Sequence, residues 1–325
     1  MELRGICSAP IGFAAGAGGF FKPTEYWYHR PWSPLKWAGL TTKRMRRTSK
    51  TMTLLPTKGN MPMQEDGITP KEWKPACIVI RPFQGITLNA VGLANPGAHS
   101  LFSRNTWQQQ DSGPFRLSFM APIKHGESMQ DRLDQYREFT DLFLRQQPHT
   151  WRSPVGIELN GSCPNTDGDS SHLVNEMGQA LDIVGKLGIP ILCKFNATDS
   201  VRAVAEIAQH RECDAITMSN AIPWGRIPYK IDWEGLFGTT TSPLAHLGGG
   251  GLSGWPLQQV VYEWIEEAMD CSFPKPISAC GGINSAKAVQ RFSKLPIVRE
   301  VQVGIAPMVN FWRMRSIIRT AYELF

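Results

Sequence analysis

From residue 115 to the C-terminus, short apolar runs alternate with stretches of helical period, and this alternation leaves the chain few folds to choose from. Segments 115–121, 155–160, 189–194, 214–219, 277–280 and 300–303 are short and apolar enough to be strands buried on both faces. Between them, Ser128 stands where it can cap a helix running to Arg145, in which Leu133, Tyr136, Phe139 and Phe143 recur at spacings of three and four. Helical patterns also cover 173–186, 200–210, 256–268, 285–292 and 311–325. Strands that alternate with helices pair in parallel through right-handed crossovers. Two earlier strands, at 11–15 and near 40–53, raise the number to eight, which favours a closed (β/α)8 barrel over an open sheet. The expected fold is therefore α/β, a single barrel domain over residues 1–325. Residues 60–98 have little helical period and read as an inserted loop and strand region folded over one barrel end.

Composition agrees with a large core. Of 325 residues, 42% are apolar and 19% charged, which is globular and not disordered. No linker or internal repeat divides the chain. The seven cysteines, at 7, 77, 163, 193, 213, 271 and 280, are odd in number and none forms a CxxC pair. With the seven histidines scattered as well, no metal, redox-pair or iron–sulfur site is expected. Such cysteine use suits a reducing, cytoplasmic setting. The uncharged stretch 6–21 carries too many glycines for a secretory leader's helix. No run approaches the ~18–20 apolar residues of a membrane span, so no membrane anchor is expected.

The formal charge of +6 has one local concentration, Lys43, Arg44, Arg46, Arg47 and Lys50. It reads first as a solvated loop or strand edge, and second as a polyanion-binding patch. It lacks the interleaved aromatics of a nucleic-acid groove, and no nucleic-acid partner is expected.

In a barrel of this kind chemistry sits where strands end at the C-terminal face. Segment 155–160 runs into Asn160-Gly161-Ser162-Cys163-Pro164-Asn165, two amides and a thiol within six residues. Asn offers donor and acceptor together, as a planar amide or imide ring requires, and Cys163 can act as base or nucleophile where its thiolate is stabilised. A structural Cys in an Asn-rich turn is the plain alternative. Lys194 ends another strand and points a cation at the barrel mouth, unless it merely snorkels. Ser219-Asn220 follows a third. Two glycine-dense turns complete the set, one from Gly248 to Gly254 before a helix at Pro256, the other Gly281-Gly282 before a helix at Ser285. With Gly304 ending the last strand, they could let backbone N–H groups converge on a phosphate.

Taken in order, these strings resemble the dihydroorotate dehydrogenase family, flavin-dependent TIM barrels. The resemblance runs through Ala14-Ala15-Gly16, then Ser49-Lys50-Thr51-Met52-Thr53-Leu54 with Pro56 and Gly59-Asn60, then Asn89-Ala90-Val91-Gly92-Leu93-Ala94-Asn95. It continues through Asn160–Asn165, Lys194, Asn220, Gly250–Gly254, Gly281-Gly282 and Gly304. Its most specific parts are the Asn-x-Ser-Cys-Pro-Asn and Asn-x-x-Gly-Leu-x-Asn strings.

The resemblance implies that Ala14, Ala15, Gly16, Lys50, Thr51, Asn160, Lys194, Ser253, Gly254, Gly281, Gly282 and Gly304 hold FMN. It further implies that Lys50, Asn89, Gly92, Leu93, Asn160, Asn165 and Asn220 hold a dihydropyrimidine. Cys163 would remove the C5 proton of (S)-dihydroorotate as hydride leaves C6 for the flavin, giving orotate for pyrimidine biosynthesis. A cysteine at this position is the mark of the soluble class 1 enzymes, among which homodimers and electron-transfer partner subunits occur.

Some positions depart from the family pattern. Lys43 competes with Lys50 as the flavin-side lysine, and Lys50 has the better spacing to Pro56 and Gly59-Asn60. Ala221 follows Asn220 where a Ser or Thr is frequent, the bulky Pro223-Trp224-Gly225-Arg226 comes next, and Ile305 stands in place of a threonine. These changes bear on the substrate more than on the flavin. They leave open a relative acting on another dihydropyrimidine such as dihydrouracil, with Arg226 or the flavin-side lysine as partner for any substrate carboxylate. A non-catalytic barrel that binds a polyanion is the more distant reading.

Overall fold

A computed structural model describes residues 1–22, 25–26, 29, 44–123, 126–161 and 170–325. The chain opens with a small antiparallel hairpin, β1 (Glu2–Leu3) and β2 (Ile6–Cys7). Arg4 at its tip pairs with Asp214 at 2.8 Å and Glu212 at 2.9 Å, so the hairpin closes the end from which the barrel strands start.

The barrel is built from β3 (Ile11–Phe13), β4 (Arg47–Thr48), β7 (Phe115–Phe119), β8 (Val155–Asn160), β9 (Ile191–Phe195), β10 (Ala215–Met218), β13 (Ile277–Cys280) and β14 (Val298–Val303). Their spatial order is β3-β14-β13-β10-β9-β8-β7-β4, with every pairing parallel. A parallel bridge between Gly12 and Arg46 joins the two ends, with Phe13 N–H donating to Arg46 O and Arg46 N–H to Ile11 O. The sheet therefore closes as a (β/α)8 barrel, as the alternation predicts. The early strand expected near 40–53 is reduced to β4 and its flanking bridges; residues 40–43 lie outside the described part.

The inserted region forms the hairpin β5 (Ile78–Arg81) and β6 (Ile86–Asn89), turned by the 3-10 segment Pro82–Gln84. It recruits two later segments, β11 (Ile222–Pro223) and β12 (Gly251–Gly254), into an antiparallel sheet of order β11-β12-β6-β5. One expectation is corrected here. The glycine-dense stretch ending at Gly254 is not a turn after a barrel strand, because its last four residues pair with β6 as a strand of this second sheet.

Helices Met129–Arg145, Ser170–Val184, Val201–Ala208, Leu257–Asp270, Ala286–Phe292 and Met314–Leu324 alternate with the later barrel strands. Ser128 caps the first by accepting from Asp131 N–H, while the Asp131 carboxylate accepts from Ser128 N–H, a reciprocal arrangement that satisfies two terminal donors. Its apolar face enters an aromatic layer. Phe139 stacks on Phe119 of β7, Phe102 and Phe143 pack on Phe139, and Trp107 and Trp151 pack on Phe102 in turn, all buried. Rings of this size supply much of the layer's burial energy.

The inside of the barrel is polar by contrast. Glu300 on β14 is fully buried and ion-paired with Arg46 at 2.6 Å and Arg116 at 2.6 Å, and it accepts from Ser278 Oγ. Burial alone would raise the Glu300 carboxyl, but Arg116 and Arg46 outweigh it and hold it down at about 2. This overturns the solvated-edge reading of the basic cluster. Arg46 and Lys50 are buried, Arg47 lies over the Phe21 ring, and Arg44 alone of the described members is exposed; Lys43 lies outside the described residues. Arg46 enters the barrel because strand alternation turns it inward, toward an acid that would otherwise be unpaired.

Candidate active site

At the C-terminal end of the barrel a cavity of about 780 Å³ lies between the strand ends and the inserted sheet. All eight barrel strands contribute to its wall. Ala14, Ala15 and Gly16 follow β3, Lys50 and Thr51 follow β4, Met120 follows β7, and Asn160 ends β8. Lys194 and Asn196 come from the end of β9, and Ser219 and Asn220 follow β10. Cys280, Gly281 and Gly282 close β13, and Gln302 and Gly304 close β14. The second sheet and its loops add Asn89, Gly92, Leu93, Ser253 and Gly254. Every described residue that the sequence singled out for flavin or ring binding thus meets in one space. Cys163 and Asn165 lie outside the described residues.

The polar groups of the wall are tied in place. Asn220 Nδ2 donates to Asn160 Oδ1 at 2.7 Å, which ties two amides together across the end of β9, from β8 on one side to β10 on the other. Asn89 Nδ2 donates to Gly251 O across the second sheet. Thr51 and Ser118 share a hydroxyl hydrogen bond of 2.9 Å. Lys50 Nζ, nearly buried, donates to Ala94 O at 2.6 Å. Leu93, beside Gly92 in the same loop, has φ +58°, a left-handed conformation costly for a side chain of its size. Lys194 reaches the cavity floor with Nζ 3.9 Å from Glu158 Oε1. Glu158 is itself fully buried and accepts from Thr217 Oγ1 at 2.9 Å. Arg226 also lines the cavity, and its charge bears on Asp199, whose carboxyl burial pushes up.

Two glycines show what the cavity can admit. Gly282 has φ +67°, and a Cβ there would stand 2.8 Å from Gln258 N, so the turn after β13 requires glycine whatever the ligand. Gly304 is different. A Cβ there would meet nothing nearer than Ala14 Cβ at 3.9 Å and would stand in the cavity. A bare backbone at the end of the last strand, followed by the helical turn Ala306–Val309, leaves room that a phosphate group could occupy. The donor set, the volume and this bare backbone fit a flavin mononucleotide. Lys194, Asn160, Lys50 and Thr51 would face its ring system, and Gly281, Gly282 and Gly304 its phosphate.

A family model described as dihydroorotate dehydrogenase matches residues 48–293. The chain belongs to the dihydroorotate dehydrogenase family. Among curated relatives it is similar to dihydroorotate dehydrogenase A (fumarate) of Lactobacillus helveticus, 28% identical over 63% of this chain and 62% of that protein. It is also similar to the catalytic subunits of dihydroorotate dehydrogenase B (NAD(+)) from Geobacillus kaustophilus and Shouchella clausii. The first is 27% identical over 64% of this chain and 61% of the relative. The second is 27% identical over 71% of this chain and 70% of the relative. The aligned segment thus spans about three fifths of the first two relatives' length.

The cavity contains residues the sequence reading passed over. Gln302 and Asn196 each stand two positions from a residue it selected, Gly304 and Lys194, and strand period two would have found them. Glu25 and Tyr26 also line it; they follow a glycine-rich turn with no periodic signal. Among the described cysteines Cys280 alone lines the cavity, and burial pushes its thiol up, away from the thiolate a base would need. Among the described residues no group of histidine, cysteine or carboxylate side chains could hold a metal, and no helix is long and apolar enough to cross a membrane.

Proposed function

We propose that this protein is an FMN-dependent oxidoreductase that converts (S)-dihydroorotate to orotate. The observation that carries the reading is the convergence on one cavity of the amide set, two cations and bare glycine backbone, in a chain of this family. The bound flavin supplies a two-electron acceptor for the hydride that leaves C6 of the substrate. Everything else falls to the protein. Asn160 and Asn220, fixed on each other, with Asn89 and Asn165, hold the imide edge of the ring through paired donors and acceptors. The loop carrying Gly92 and Leu93 covers the ring from the side of the inserted sheet. Lys50, which lines the cavity, bears the charge that opposes the substrate carboxylate. Cys163, three residues after Asn160, accepts the C5 proton. Lys194, 3.9 Å from Glu158 Oε1, would help to hold the cofactor and would oppose the negative charge it takes up on reduction.

The cavity cations favour a carboxylate-bearing ring over a neutral dihydropyrimidine, since Lys50 and Lys194 in its wall attract a substrate anion that a neutral ring does not carry. The first test is direct. The purified protein is expected to be yellow, and its flavin band to shift with orotate more than with uracil. A preference for uracil would move the assignment to the carboxylate-free substrate.

A further inference from the structure

Glu25 has no role in the chemistry above, yet it is the most unusual carboxyl in the cavity wall. It is 2% exposed. Its Oε2 accepts from Phe20 N–H at 2.6 Å, and Oε1 has no hydrogen-bond partner. A buried carboxyl with a bare oxygen is costly unless a charge nearby answers it. The turn is shaped around it. Gly19 has φ +57°, and a Cβ at that position would fall 2.2 Å from Glu25 Oε2, so only glycine admits the carboxyl.

The same turn holds Lys50. The Gly19–Phe20 peptide accepts from Lys50 N–H through Gly19 O at 2.7 Å and donates to Glu25 through Phe20 N–H. One peptide unit therefore fixes the carboxylate and the lysine backbone on its two sides. The Lys50 ammonium then runs past the Phe20 ring to donate to Ala94 O. Both side chains line the cavity.

We propose that Glu25 is a positioning residue for Lys50: across the Gly19–Phe20 turn its carboxylate keeps the Lys50 amine an ammonium in the cavity wall. An anionic ring then meets a charge and not a neutral amine. The proposal rests on the dihydroorotate reading only for the identity of that anion.

The electrostatics run the same way. Burial pushes Lys50 down to about 8, and Glu25 is the largest influence opposing it. Burial pushes Glu25 up to about 8, with the Phe20 N–H, Lys50 and the Lys22 N–H opposing, so its negative charge builds as pH rises through the range in which Lys50 would otherwise lose its proton. Among the described residues, few other charged groups bear on the pair. Arg47 lies on β4, Asp66 is already bonded to Lys22 and Thr69, and the raised thiol of Cys77 stands on the inserted region with Glu72 beyond it. None of them replaces Glu25 as the counter-charge to Lys50.

The test uses holoprotein labelled with carbon-13 at the lysine ε-carbon, titrated with pH, the Lys50 signal being the one lost in Lys50→Arg. Wild type is expected to titrate well below an exposed lysine, and Glu25→Gln lower by about one pH unit or more. Equal midpoints in the two proteins would overturn the proposal. Orotate titration of the flavin band across pH 6–9 gives the second readout. Wild-type binding is expected to weaken as pH rises through the Lys50 midpoint, and Glu25→Gln to match it at pH 6 yet bind about tenfold more weakly near pH 8. A loss equal at every pH would mean a merely structural role and would also overturn it. Should Glu25→Gln not fold, Glu25→Asp, which withdraws the carboxylate by one methylene, is expected to give an intermediate midpoint, and an unmoved one counts against the proposal. If orotate binds neither protein while the lysine midpoint shifts, the substrate reading fails and the Glu25–Lys50 coupling stands.

Discussion

At the scale of single residues, the site divides into groups that do chemistry and groups that make room for it. On the proposed reading Cys163 belongs to the first. Its replacement by alanine is expected to leave flavin bound and to slow anaerobic flavin reduction by dihydroorotate about 10²–10⁴-fold, read by stopped-flow absorbance. Unchanged reduction would remove the cysteine from its role. Gly304 belongs to the second. Gly304→Val should fold normally, since a Cβ there touches almost nothing, and yet be purified without flavin. A yellow Gly304→Val protein would place the phosphate elsewhere. Much of this was legible in the sequence, because polar residues that end apolar runs stand out. Asn160, Lys194 and Asn220 were found that way. Gln302 and Asn196 were readable in principle, by stepping two residues along a strand. Glu25 was not, since its partner is a peptide unit in a turn and a lysine that follows another strand.

Among the elements, the strongest periodic patterns were the ones the sequence placed best. The helix Met129–Arg145 begins after the Ser128 expected to cap it and buries the four residues whose spacing announced it. Phe139, stacked on Phe119 and fully buried, is the keystone of the layer outside β7. Phe139→Ala is expected to destabilise the protein by about 3–5 kcal/mol in urea unfolding, because no neighbouring ring can move into the space. A loss below about 1 kcal/mol would mean the aromatic layer repacks. The strand β12 was misread because its glycines carry no apolar pattern. What makes it a strand is its partner β6, which belongs to a segment far away in the chain. Short strands such as β4 and β11 share this trait. Their backbones are held by neighbours, and their own side chains announce little.

For the whole molecule, the barrel depends on charges that no local pattern links. Arg46 and Arg116 come from the first half of the chain and Glu300 from the last strand, and they meet only when the barrel is closed. The folded-state carboxyl of Glu300, at about 2, lies below its unfolded value. Its contribution to stability is therefore present above pH about 4.3 and lost as pH falls through about 2. Acid titration of unfolding is expected to show that loss in wild type. Glu300→Gln, which strands two buried arginines, should cost about 3–5 kcal/mol at neutral pH and flatten the acid limb. A Glu300→Gln protein as stable as wild type would contradict the closure argument. Because β3 pairs with β14, the ends of the chain fold into one barrel, and the cavity at its mouth draws on all eight strands. The proposed oxidation of dihydroorotate in this cavity by way of FMN has a direct optical readout. It is tested most directly by adding dihydroorotate to the purified protein in the absence of oxygen and recording the flavin band. A yellow protein bleached by about one equivalent, with orotate formed in equal amount, is expected. A colourless protein, or a flavin band that dihydroorotate leaves unchanged, would contradict it.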